Sequence, residues 1–140
     1  MAGKIIADTI ETGAGADIST NYVVNGSAKA WVNFNARGTL AVQDSLNYTS
    51  VTDNGQGDYT GAYSSAFNND DYTTLSSLMT EHNSSRGCFF LAIAIESDNS
   101  LTLYTTTQVR MYSNYGASAS SNGGEYDPTP CHINHMGDLA

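Results

Sequence analysis

Cys131, His132 and His135, in the stretch CHINHM, form the one local group of metal-ligand residue types in this chain. A His-x-x-His pair in an extended segment sends its rings to opposite faces, although a turn would bring them together. On a three-fold axis, His132 and His135 of three copies would supply six imidazoles, a donor set for an octahedral transition metal. The simpler reading is a pair of ordinary histidines near the terminus and no cofactor. That reading is the expectation, with the metal as its alternative.

Hydrolysis would need a nucleophile beside a base, or two carboxylates across a cleft. Asp70 with Asp71, and Asp53 with Asp58, are the obvious carboxylate pairs. All lie in turn-like contexts, where aspartate is favoured for local hydrogen bonding. His82 has no marked serine near it, and no glycine-rich phosphate loop opens a helix. Enzymatic activity is therefore not expected.

Tyrosine carries more information. Tyr104, Tyr112, Tyr115 and Tyr126 crowd the C-terminal third beside Asn114, Asn122 and several serines. Tyr, Ser, Gly and Asn together make surfaces that stack and hydrogen-bond adaptably. Tyr112, Asn114, Tyr115 and Tyr126 are the candidate contact residues for a binding partner. Strand propensity alone would also explain any single tyrosine.

The elements that must hold these residues are strands. Charged residues make up 14% of the 140, well below the usual share for soluble domains, and 13 glycines and nine tyrosines suit short strands joined by tight turns. The length fits one domain. KAWVNFN alternates Ala30, Val32 and Phe34 against Lys29, Trp31, Asn33 and Asn35, so the only tryptophan falls on the polar face. TLAVQDSLNYTSV alternates with an expected bulge or bend at Asp44-Ser45, and VTDNGQGDYTGAY is a hairpin, with Asn54-Gly55 and Gly57 supplying positive-φ positions. NYVVNG is expected to be a short strand closed by Asn25-Gly26. YTTLSSLMTEH fits either a helical stripe or a strand, and its composition favours strand. GCFFLAIAI is expected to be the central strand of the core, followed by LTLYTTTQVRMY. After Tyr115 the rhythm collapses into a Ser/Gly/Pro-rich loop, with Ile133 in one last short strand. Seven or eight strands at short spacing predict an all-β antiparallel sandwich, residues 21–140, behind an N-terminal leader, residues 1–20.

The net charge of −9, with five basic residues and no basic cluster, argues against nucleic-acid binding. MAGKIIADTI has neither the apolar run of a membrane span nor that of a signal peptide, so synthesis in a cytoplasm without membrane insertion is expected. Cys88 and Cys131 match no metal or redox spacing, and two free thiols are favoured over a disulfide.

Three strings in order, KIIADTIETGAGADIST, NYVVNGSAKAWVNFNARGTLAVQDSLN and SVTDNGQGDYT, resemble a tail-fibre (receptor-binding or tip) module of tailed bacteriophages and their prophage relatives. They span residues 4–60, a little under half of the chain. The C-terminal part departs from the pattern: such modules usually close on an apolar strand, where this chain has GGEYDPTPCHINHMGDLA. The resemblance implies a homotrimeric, β-rich virion component that attaches to a host-surface glycan or protein. It also implies that the leader docks on other tail or baseplate proteins. In a trimer, Trp31 and Asn33 would lie at the subunit interface, with burial under the chain's own leader as the alternative. Two other roles remain open: a connector or decoration subunit that binds only virion proteins, and a polysaccharide-degrading tailspike-like enzyme.

Overall fold

A computed structural model describes residues 7, 9–11, 13, 15, 17–78, 104–116 and 123–140, and the backbone of 89–93. The chain is an all-β antiparallel sandwich. Thr9–Glu11 (β1) and Asp17–Ser19 (β2) pair in a small hairpin, and a helix, Thr20–Gly26 (α1), follows. One sheet then contains Ala28–Asn35 (β3), Ala41–Leu46 (β4), Thr73–Leu78 (β7) and Cys131–Met136 (β11), in the order β4-β3-β11-β7. The other contains Tyr48–Gly55 (β5), Asp58–Tyr63 (β6), Phe89–Ile93 (β8), Gln108–Tyr115 (β9) and Gly124–Glu125 (β10). In it β9 lies between β6 and β8, and β10 extends the β6 side, since both β8 and β10 pair with Asn114 and Tyr115. Eight of these strands, β3 to β9 and β11, have five residues or more.

Period-two alternation decides which side chains meet between the sheets. Ala30, Val32 and Phe34 of β3 and Cys131, Ile133 and His135 of β11 line one inner face. Tyr48, Val51, Tyr59, Tyr63, Val109 and Met111 line the other. Phe34 meets Tyr59 edge-on across the gap, with centroids 5.2 Å apart. Chain reversal between the sheets falls on Asn47, whose φ of 58° places it in the left-handed region. Its amide holds the turn by accepting from Ser65 N at 2.6 Å and donating to Ser65 O at 3.0 Å.

Several expectations hold. The β5–β6 hairpin forms as expected, but its turn is Gln56-Gly57, closing between Gly55 and Asp58; Asn54 lies at the β5 register shift, and Gly55 and Gly57 are at positive φ. Residues 73–78 are strand, and the β4 irregularity falls at Gln43, one residue before the expected position. Others are corrected. NYVVNG is helical: the Ser19 hydroxyl accepts from Asn21 N, and Lys29 Nζ donates to the carbonyls of Val24 and Ser27. These local caps satisfy helix termini in a segment that no sheet edge receives. α1 buries none of its residues, so the first residue of the sandwich core is Ala30.

LTLYTTTQVRMY is not one strand, because Thr105 N donates to Gln108 O at 3.0 Å and the chain reverses there, bridging Tyr104 to Val109. GCFFLAIAI contributes β8, which among the described residues pairs with β9 alone rather than standing at the centre. The last short strand expected around Ile133 is β11, which shares the interior of the first sheet with β3.

Candidate functional site

The inner and outer faces sort the candidate residues. His135 is fully buried, with Nε2 2.6 Å from the Tyr48 hydroxyl and Nδ1 2.7 Å from Thr74 Oγ1. A neutral imidazole donates from one nitrogen and accepts at the other, so both contacts are met without charge. Burial pulls its pKa down to about 4. The rings of Tyr63, Phe67 and Tyr72 also surround it. His132 points the opposite way, onto the outer face of the first sheet. The two rings therefore cannot share one ion, and His135 has no ring nitrogen left for one. This corrects the metal pair. Cys131 is a free, buried thiol, with its pKa pushed up to about 12 by burial, and Cys88 lies outside the described residues.

Tyr104, the fourth tyrosine of the C-terminal group, lies apart from the contact candidates. Its hydroxyl donates to Tyr72 O, and Tyr72 in turn donates to Thr105 O at 3.0 Å and accepts from Tyr63 at 3.1 Å. This hydroxyl chain belongs to the core.

Tyr112, Asn114, Tyr115 and Tyr126 are all half-buried at one end of the second sheet. Tyr112 and Asn114 follow Arg110 on the outer face of β9, while Val109, Met111 and Ser113 face inward. Tyr115 and Tyr126 meet edge-on at 6.4 Å. Tyr126 is held there because its N–H donates to Ser113 O at 3.2 Å, while Ser113 N donates to Gly57 O at 2.7 Å. Asp127 fixes the same corner, accepting from Gly57 N and the Tyr59 hydroxyl, each at 2.7 Å. Gly57 is required there: a Cβ would stand 2.5 Å from Ser113 O, and its φ is +71°.

Three neighbours complete the surface. Asp58 stands opposite Tyr112 in the β6–β9 register. Its carboxylate accepts from Arg110 Nε at 2.8 Å and Nη2 at 2.5 Å, from the Tyr112 hydroxyl at 3.1 Å and from Asn54 Nδ2 at 3.2 Å. Each oxygen thus receives two donors. The Arg110 hydrogen bonds hold the Asp58 pKa below its ordinary value. The guanidinium carbon also lies 5.7 Å from the Tyr112 ring centroid, a cation–π distance. Asp58, Arg110 and Asn54 were not among the contact candidates. The available signal was Arg110 itself, a charged residue two before Tyr112 in a strand with period two.

Trp31 and Asn33 sit on the opposite side of the molecule, on the outer face of the first sheet. Trp31 stays half-exposed, so the described part of the leader does not bury it. The register sets Leu46, Trp31, Asn134 and Leu75 in one row, and Leu46 and Leu75 are 47% and 55% exposed. Asn33 Oδ1 is buried and has no hydrogen-bond partner among the described residues.

The fold defines an antiparallel β-sandwich with two dissimilar outer faces, one aromatic and polar, the other partly apolar. No family model, curated protein or solved structure matches the chain.

Proposed function

We propose that this chain is a trimeric tail-fibre or tip component of a tailed bacteriophage, attaching the virion to a host-surface glycan. The observation that carries the reading is the outer face of β9, where Tyr112 and Asn114 lie beside the Asp58–Arg110 pair, while Tyr115, turned to the other face by strand alternation, pairs with Tyr126 at the end of the strand. Rigid aromatic rings beside fixed planar polar groups suit a polyhydroxylated ligand, which offers C–H faces for stacking and hydroxyls for hydrogen bonding. The phage-like strings support it further, since they lie on the leader, on β3–β4 and on the β5–β6 hairpin. Binding at such an open surface is weak per site, and three copies on one fibre raise it by avidity. The row of Leu46, Trp31 and Leu75 is the proposed subunit interface, where an aromatic anchor and an asparagine suit a partly polar contact.

The test is host-cell binding by the full chain with Tyr112→Ala and Asn114→Ala together. Binding is expected to fall at least tenfold while light scattering still gives three times the 14.9 kDa chain mass. Unchanged binding would remove the platform from the mechanism, and a stable wild-type monomer would remove the trimer. Trp31→Ala is expected to shift the trimer towards monomer.

A connector role has its own supporting observation. The leader exposes Ile10 and Ile18, and α1 next to it exposes Tyr22, Val23 and Val24, apolar side chains suited to docking on another virion protein. Purified chain that binds virions lacking it and ignores host cells would favour that role. Release of sugar from host polysaccharide would favour the enzyme.

A further inference from the structure

We propose that the platform on the outer face of β6 and β9 selects uncharged saccharides over acidic ones. This rests on the attachment reading above and names the ligand class of the same surface. The argument is electrostatic. An anionic sugar, whether uronate, sialate or phosphorylated, is bound by an arginine or lysine whose charge is available to it. Among the described residues Arg110 is the cation of this platform, and its charge is met by Asp58 in a two-pronged pair, Nε to Oδ1 and Nη2 to Oδ2. Asp58 is 8% exposed and takes two further donors, from Tyr112 and Asn54, so the pair is locked rather than a loose surface contact.

The surroundings add negative charge. Glu125 pairs with Asn114 across the β10–β9 ladder, and Asp127 stands at the adjoining corner. Burial raises the pKa of the Tyr112 hydroxyl, and its hydrogen bond to Asp58 and the charge on Asp58 and Glu125 add to that rise, against an opposing pull from Arg110. The whole chain carries −9, which repels an anion before contact. What this outer face offers instead is uncharged: the Tyr112 ring, the Asn114 amide and a guanidinium plane already paired with a carboxylate. A neutral hexose or N-acetylhexosamine matches that set.

The test is competition. Wild-type chain is bound to host cells at low and high salt, in the presence of neutral oligosaccharides (hexose and N-acetylhexosamine units only) or of uronate- or sialate-containing ones. The expected result is inhibition by the neutral set at least tenfold stronger than by the acidic set, with cell binding changed less than twofold between about 50 and about 500 mM salt, because a neutral ligand carries no charge for salt to screen. Asp58→Asn, which releases the Arg110 charge, is expected to move preference towards the acidic set. If that variant does not fold, the wild-type competition and salt series still decide. Inhibition only by acidic sugars, weakened by salt, overturns the inference and leaves attachment intact. Cell binding that neither set inhibits also overturns it and indicates a protein receptor. No cell binding at all overturns the attachment reading, and this inference with it.

Discussion

Acidification is the perturbation that reads most directly on the packing of the core, through His135. Both sheets close on this ring: Tyr48 of β5 touches Nε2, Thr74 of β7 touches Nδ1, and Tyr63, Phe67 and Tyr72 surround it. No carboxylate appears among these neighbours to offset a positive charge, and burial lowers the pKa from 6.5 to about 4. The unfolded chain therefore takes up this proton before the folded one does. Stability contributed by keeping His135 neutral is complete above 6.5 and is lost as pH falls towards 4. Integrating the proton difference gives a loss of about 2 kcal/mol at pH 5 and about 2.5 at pH 4.5.

The assay is urea denaturation from pH 7.5 to pH 4.5 on wild type and His135→Gln. With a slope of about 2 kcal/mol per molar urea, the wild-type midpoint should drop by about 1 M between pH 7.5 and pH 5. The variant starts less stable because it loses shape and contacts. Its midpoint should nevertheless stay flatter across this window. Asp58 does not confound the result: its pKa is lowered from 3.8, so its contribution is present above 3.8 and is lost only at lower pH. Parallel pH profiles for wild type and variant would falsify the account of a neutral, desolvated imidazole.

Three further substitutions test the frame. Gly57→Ala forces a Cβ to within 2.5 Å of Ser113 O at positive φ, so a loss of about 2–4 kcal/mol is expected by thermal denaturation. Faster amide exchange at Tyr126 should accompany it. Phe34→Ala removes the ring that meets Tyr59 between the sheets and should cost about 3–5 kcal/mol; a loss under 1 would mean the sheets are not packed there. Asn47→Ala loses both contacts to Ser65 and places alanine at φ 58°, for an expected cost of about 1–3 kcal/mol. Asn47→Gly should recover part of that loss by relieving the backbone.

Sequence alone determined the strand character, the existence of the β5–β6 hairpin and the two faces of β3, because period two and turn chemistry are local properties. The alternation that put Trp31 with Lys29 and Asn33 is what the fold displays, as is the split of Val109 and Met111 from Arg110 and Tyr112. The outward placement of Tyr112 and Asn114 on β9 was legible for the same reason. Other features depended on distant partners. NYVVNG has the β-branched residues of a strand, but a strand needs a neighbour to take its hydrogen bonds, and the Ser19 and Lys29 caps favour the helix. CHINHM has one aliphatic residue on its inner face. It becomes an interior strand because Val32 and Phe34 on one side and β7 on the other supply the pairing, and because Tyr48 and Thr74 satisfy His135. Asp58 and Arg110 are 52 residues apart, and only the β6–β9 register brings them together. Pairing across that distance is a property of sheet topology, which no local pattern encodes.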